Sequence, residues 1–244
     1  MGIWAAVKYA LNSTLGTSSF SPIDKIVNRL WGGVQTFTTD GTFTVPENVT
    51  KIWITAAAGG QAGSRGKRYG NSSYVYCGGL GGNGGDCILK KAFNVTPGQK
   101  IPITVGKGGT TDGAIGTATV VGSLVTLVGG DNTNNGSNNG GGTGGKGGIY
   151  RNGSGNILLP MPGQDGLLGS GGGISTVGTN DGSSNVYGGG GGGSIGNGGN
   201  GAISNTISEN TGVDGVMGGG GGGGYSNYGT PFGKGGDGIV IIEW

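Results

Sequence analysis

The sequence contains no histidine. That absence alone removes Ser-His-Asp and Cys-His triads, His-ligated zinc, HExxH metalloproteases and histidine general bases. Charge is scarce as well: Asp, Glu, Lys and Arg make up 11% of the 244 residues, where soluble proteins carry about 25%. Aromatic residues make up 7%, with two cysteines and seven prolines. No strict Gly-X-Y period runs through the chain, which excludes collagen. Apolar runs fall far short of the ~18 residues that span a membrane, so membrane insertion is not expected. The opening MGIWAAVKYALNSTLG holds Lys8 inside its apolar stretch rather than ahead of it, a poor match to a signal peptide. Ala6 stands where myristoylation calls for Ser or Thr. No enzyme is expected, and no cofactor.

Net charge is +2, too small to imply a nucleic-acid partner, but it is unevenly spread. Residues 1–107 hold 11 Lys/Arg and 4 Asp/Glu, or +7; residues 108–244 hold 3 and 8, or −5. The densest basic spot is Arg65, Lys67 and Arg68, read as a solvated loop.

Glycine is what the chain does have, 67 residues of it, against about 7% in an average protein. It is patterned. Residues 78–86 read GGLGGNGGD and 141–149 read GGTGGKGGI, glycine at two of every three positions; 188–193 and 218–224 are unbroken. A flexible Gly/Ser linker has no reason to keep such a period. Three residues per turn is the repeat of the extended left-handed helix that polyglycine adopts. With no Cβ on two faces, such helices can approach closely and bond backbone to backbone, supported by Cα–H···O contacts. A packed bundle of polyglycine II helices is therefore expected. The opposing term is large, about 1–2 kcal/mol of backbone entropy per ordered residue. Only a lattice with nearly every backbone group bonded can offset it.

Around the glycine tracts the period is two. Strands are expected near 34–38, 41–45, 50–57, 87–95, 100–105, 117–121, 124–128 and 239–244. Asp40-Gly41 and Thr96-Pro97-Gly98-Gln99 are turn chemistries, and Gly122-Ser123 marks a hairpin. The unbroken IVIIEW suits a strand covered on both faces. These strands predict a mainly β fold: a jelly-roll-like β-sandwich with the glycine bundle inserted, over residues 34–244.

Residues 1–33 read differently, as a helical docking segment. Ser21 as N-cap, Pro22 at the first helical position and Gly32-Gly33 after the end frame one helix. Its apolar positions Ile23, Ile26, Val27, Leu30 and Trp31 form one stripe. A helix this short is marginal alone, so the stripe must bury itself against something.

Other motifs are weak. Gly81-Gly82-x-Gly84-x-Asp86-x-Ile88 matches the calcium-binding β-roll nonapeptide once, with no tandem copy. Lys107 and Lys234 are each followed by Gly, so neither GK pair is a Walker loop. The run DNTNNGSNN at 131–139 has oxygen ligands for calcium but reads better as a solvated loop. Cys77 and Cys87 flank GGLGGNGGD; a straight three-residue-per-turn helix of ~3.1 Å rise puts them ~30 Å apart. A disulfide needs Cα atoms within roughly 7 Å, so no bridge between them is expected. Glycine-poor insertions at 65–76, 174–187 and 225–232 bring Tyr together with Asn and Ser, the composition of adaptable recognition surfaces. Candidate binding residues are Tyr69, Tyr74, Tyr76, Asn185, Tyr187, Tyr225, Asn227, Tyr228 and Phe232.

The stretch TFTTDGTFTVPENVTKIWITAAAGGQAG, the glycine tracts and the closing GDGIVIIEW together resemble the glycine-rich modules of bacteriophage tail-fibre and tail-tip proteins. They are also similar to the glycine-rich domain of the anaplastic lymphoma receptor kinase, where polyglycine II helices emerge from a jelly roll. The opening GIWAAVKYALNSTLGTSSFSPIDKI resembles N-termini of phage tail proteins of Gram-positive hosts. The resemblance implies a virion tail protein, assembled in the host cytoplasm, that binds a host receptor through loops at the helix ends. Its partners would be a host cell-surface polysaccharide or protein, other virion tail proteins, and further copies of itself, a trimer being one arrangement. A purely structural tail component is the alternative. An ice-binding bundle would need a flat array of small residues, which Leu80, Asn83, Asp86, Thr143, Lys146 and Ile149 do not provide.

Overall fold

A computed structural model of the protein describes residues 32–65, 67–69, 75–77, 79–131, 141–142, 149–151, 157–158, 161–173, 189–202, 212–224 and 232–244. For 67–69, 75–77, 149–151 and 157–158 the description is of the backbone. The expected helices within 1–33, the Asn-rich run after Asp131 and the tract 143–148 lie outside the described residues.

All eight expected strands form. They are β1 (Val34–Phe37), β2 (Gly41–Thr44), β3 (Lys51–Ala57), β6 (Cys87–Asn94), β7 (Lys100–Thr104), β8 (Thr119–Val121), β9 (Val125–Leu127) and β12 (Ile239–Glu243). They make two four-stranded antiparallel sheets, ordered β1-β12-β3-β6 and β2-β7-β8-β9. Alternating side chains from both sheets meet between them: Ile52, Ile54, Val240 and Ile242 from one, Phe43, Ile101, Ile103 and Val121 from the other. This is a β-sandwich with a core of Ile, Val and Phe. Trp244 closes one end of it, its ring centroid 5.2 Å from that of Phe43.

Gly122-Ser123 does lie in a hairpin, with Val121 opposite Val125 and Gly122 at φ 49°. The other two turns are corners rather than hairpins. After Asp40 the chain leaves β1 in one sheet for β2 in the other, and Thr96–Gln99 carries it from β6 to β7 in the same way. Asp40 anchors its corner by accepting the Val105 N–H at 2.8 Å. On β12, Val240 and Ile242 face the sandwich core while Ile239 and Ile241 face a second cluster with Ala57, Cys87 and Ile195. Both faces of that strand are covered.

A third small sheet corrects the solvated-loop reading of Arg65, Lys67 and Arg68, since Lys67 and Arg68 stand on a strand. Strands β4 (Lys67–Tyr69), β5 (Val75–Cys77), β10 (Ile149–Arg151) and β11 (Ile157–Leu158) are ordered β11-β10-β5-β4. Residues 67–69 and 75–77 pair antiparallel, so Tyr69 and Tyr76 stand on strands. Val and Tyr favour such pairing.

Strands run directly into glycine segments: β3 into 58–64, 79–86 into β6, and 233–238 into β12. Around residues 218–224 six segments form a closed ring. The central segment donates to Gln61 and Ser64, to Gly192 and Gly189, and to Val216 and Val213. It accepts from Gly79, Gly82 and Gly85, from Gly199 and Ala202, and from Gly233 and Gly236. Each set advances by three residues, the helix repeat expected from the GGX pattern. All seven N–H groups and all seven carbonyls of 218–224 are bonded, and all seven residues are buried. Adjacent ring segments bond to each other too, as in Gln61 N–H to Asn83 O at 2.9 Å and Gly215 N–H to Lys234 O at 2.8 Å. Some neighbours run parallel and others antiparallel. There is no room for side chains inside: a Cβ on Gly220, Gly221, Gly222 or Gly223 would fall on the carbonyl oxygen of Gly82, Gly233, Asn200 or Gly79.

Side chains complete the lattice where glycine segments run out. Gln61 accepts the Asn83 N–H and donates to Gly113 O. Asn197 and Asn200 accept from Ser170 and Gly173, and Asp165 accepts from Gly171. At the junction with the sandwich, the buried Thr119 hydroxyl donates to Ala57 O at 2.8 Å and accepts the Gly106 N–H at 2.9 Å.

Candidate functional site: the distal end of the bundle

Two reversals at the sandwich end of the bundle are short. Residues 194–196 turn 189–193 back into 197–202, and Met217-Gly218 (φ 43° and 84°) reverse 212–216 into the central segment. Ile195 packs on Ala57, Cys87 and Ile239, and the Ser194 hydroxyl donates to Gly85 O. Cys87 is a free thiol there, and burial pushes its pKa up.

Segment 132–140 leaves at Asp131 and returns at Gly141, beside residues 83–85 on the sandwich side, while four other insertions leave the distal end. The residues flanking 66–78, 174–188, 203–211 and 225–231 are knitted together by main-chain bonds. Gly79 donates to Gly224, Gly224 to Ser64, and Ser64 to Leu80, at 2.8–2.9 Å. Gly189 donates to Gly79, Gly223 to Gly189, Ala202 to Gly223, and Gly201 to Gly173. Four insertions thus leave one face of a rigid block. Among the described residues there, Arg65 is exposed and Phe232 half-buried, with the guanidinium carbon 5.8 Å from the ring centroid. The Arg65 N–H donates to Asp112 Oδ1 at 2.8 Å.

This sandwich of Ile, Val and Phe, with glycine tracts bonded into a bundle at one end, corresponds to a known family description. The family model for the glycine-rich domain matches residues 36–244. The chain belongs to that family. No curated protein matches it.

In this glycine-rich domain, Phe232 is the candidate binding residue whose side chain is described. Tyr69 and Tyr76 are placed by backbone alone, on β4 and β5. Tyr74, Asn185, Tyr187, Tyr225, Asn227 and Tyr228 lie outside the described residues, as do the docking residues Ile23, Ile26, Val27, Leu30 and Trp31. What is placed is the anchors: the chain enters and leaves 66–78, 174–188 and 225–231 side by side. The sequence reading missed a fourth insertion, 203–211, whose AISNTISEN surroundings lack tyrosine. It also missed Arg65 as the neighbour of Phe232, two residues remote in sequence with no shared motif.

Among the described residues no group of three or more His, Cys, Asp and Glu could hold a metal ion. Asp86, the acid of the β-roll-like stretch, is buried and accepts the Val128 N–H at 3.2 Å. The described ion pairs are Lys107–Asp237 at 3.0 Å and Lys90–Glu243 at 3.3 Å. Burial opposes the charge on Asp237, but the Gly108 N–H and the Lys107 ammonium outweigh it and hold that carboxyl below its ordinary range.

Proposed function

We propose that this glycine-rich domain is a phage virion tail-fibre or tail-tip protein that binds a host-surface receptor, a carbohydrate, through the insertions at its distal end. The observation that carries the reading is that the anchors of four insertions, 66–78, 174–188, 203–211 and 225–231, lie side by side at the end of the bundle away from the sandwich. A rigid mount limits the ordering cost of loops that recognise a ligand. Tyrosine beside Asn and Ser offers a sugar both a flat apolar platform and hydrogen-bond partners. Residues 1–33 would join the domain to other virion tail proteins or further copies. On this reading the protein resides in the virion tail after assembly in the host cytoplasm, and acts as an adhesin rather than an enzyme.

The purely structural alternative also has an observation in its favour. Val213 and Val216, a helix repeat apart on one flank of the bundle, are 54% and 52% exposed, and another virion protein could cover them. One experiment separates the two. Tagged full-length protein is incubated with Gram-positive bacterial cells before and after the wall polysaccharide is stripped. Adsorption lost on stripping, and lost in a folded Tyr225→Ala, Tyr228→Ala double variant but not after matched changes in 131–139, supports receptor binding. Unchanged adsorption in the folded double variant removes the 225–232 loop from the site and favours the structural role.

A further inference from the structure

We infer that Arg65, held beside Phe232 at the distal end, reads an anionic group, a phosphate or carboxylate carried on the polymer that this end binds. The inference rests on the receptor-binding reading and narrows its ligand. Three features single out this arginine. Its main chain is tied down, the N–H bonded to Asp112 Oδ1 at 2.8 Å. Its guanidinium lies 5.8 Å from the Phe232 ring centroid, within cation–π range. And among the described residues the guanidinium has no ion-pair partner: the described pairs, Lys90–Glu243 and Lys107–Asp237, belong to the sandwich and its junction.

Two carboxylates, Asp112 and Asp214, lie nearby and form no described ion pair with Arg65 or Lys234. Asp112 already uses one oxygen on the Arg65 main chain. Lys234, two residues after Phe232, is exposed and makes no described ion pair; Asp214 Oδ1 accepts its main-chain N–H at 2.7 Å. Arg65 and Lys234 are both exposed here, and neither forms a described ion pair with Asp112 or Asp214, each of which accepts a main-chain N–H through Oδ1. A guanidinium steadied against an aromatic ring keeps its N–H edges free, and that planar fork matches a carboxylate or phosphate with two parallel hydrogen bonds. A neutral sugar can accept hydrogen bonds from the fork but offers no charge to pair with it. The chain continues from Arg65 into Lys67 and Arg68 on β4, so the densest basic stretch of the sequence starts at this same end.

The test uses full-length protein on surfaces bearing poly(glycerol phosphate), polygalacturonate or neutral dextran, at low and high salt. The expected result is preference for one acidic polymer, weakened by salt, and the polymer preferred identifies phosphate or carboxylate as the group read. Arg65→Gln should lower affinity about tenfold or more with an unchanged melting temperature, and Arg65→Lys should not restore it, because an ammonium lacks the planar fork. Equal binding by Arg65→Gln and wild type, or wild-type binding to dextran as strong as to both acidic polymers, overturns the inference. Cell adsorption distinguishes the two levels of failure. If Arg65→Gln still adsorbs fully to cells whose stripping abolishes adsorption, the anion-reading role is wrong and receptor binding stands. If wild type reads an acidic polymer through Arg65 yet adsorbs to no cell, receptor binding on cells is wrong instead.

Discussion

Replacing Gly221 by alanine tests the lattice at its centre. In a flexible linker that change is neutral or stabilises by about 0.4–1 kcal/mol, because alanine restricts the unfolded chain. Here the added Cβ would fall on the Gly233 carbonyl oxygen. That oxygen accepts the Gly63 N–H at 2.9 Å, while the Gly233 N–H donates to Gly222 O at 2.8 Å. Moving the 233–236 segment aside strains or breaks both bonds, and each buried group left unpaired costs about 1–3 kcal/mol. Overpacking adds about 1–3 kcal/mol where the neighbours cannot yield. After the unfolded-state gain is subtracted, the expected loss is about 3–5 kcal/mol, a large part of a typical domain's stability. At about 2–4 °C per kcal/mol for a chain of this size, melting should fall by about 6–20 °C. Leu80→Ser is the matched control. Leu80 is 47% exposed at an X position of the same lattice, and its replacement should cost about 1 kcal/mol or less. Both variants and wild type are melted by circular dichroism, with amide exchange at 219–224 as a second readout. A Gly221→Ala protein that melts at or above the wild-type temperature, or glycine amides that exchange at free-peptide rates, would refute the lattice account.

Three further outcomes follow from other features. Gln61→Ala removes a buried carboxamide that accepts from Asn83 and donates to Gly113, so urea denaturation should reveal a loss of about 2 kcal/mol or more; a loss under half that would count against side-chain completion of the lattice. The Asp237 carboxyl is held below its ordinary range in the fold, so its contribution is present at neutral pH and lost as pH falls through the folded value. Asp237→Asn should therefore flatten the acid limb of the melting curve, and an acid limb as steep as wild type would dissociate Asp237 from it. Removal of residues 1–31 should leave a soluble module melting within a few degrees of the full chain, because β1 begins at Val34 and Gly33 already pairs with Trp244; the module should no longer join the particle or oligomer, and its recovery as an unfolded aggregate would place the segment in the fold instead.

The sandwich strands were legible because a period of two, bounded by Asp-Gly, Pro-Gly and Gly-Ser, is a local signal. Their partners were not. The turns at Asp40-Gly41 and Thr96–Gln99 look like hairpin turns in sequence, yet the chain must cross between layers to close a sandwich, and alternation specifies a face without naming a neighbour. The glycine lattice was legible in its repeat for the same reason. Which segment lies beside which was not, since glycine carries no side chain to encode a partner and the ring accepts both chain directions. The third sheet escaped because strands of two or three residues, such as Val75–Cys77, are too short to display a period. Arg65 and Phe232 each looked ordinary; only the bond pattern that sets 63–65 beside 232–233 brings them together.

A core built from peptide groups has a thermal consequence. Exposing apolar surface on unfolding raises heat capacity and exposing polar backbone lowers it. The sandwich supplies the first contribution through Ile52, Ile54, Phe43 and Ile242, while the seven buried glycines of the central segment and the ring around them supply the second. The two offset one another, so the heat-capacity increment per residue falls below the usual ~12–15 cal/mol/K. A smaller increment flattens the dependence of stability on temperature. The bundle that carries the distal face thus depends less on the temperature-sensitive ordering of water around hydrocarbon than the sandwich beneath it does.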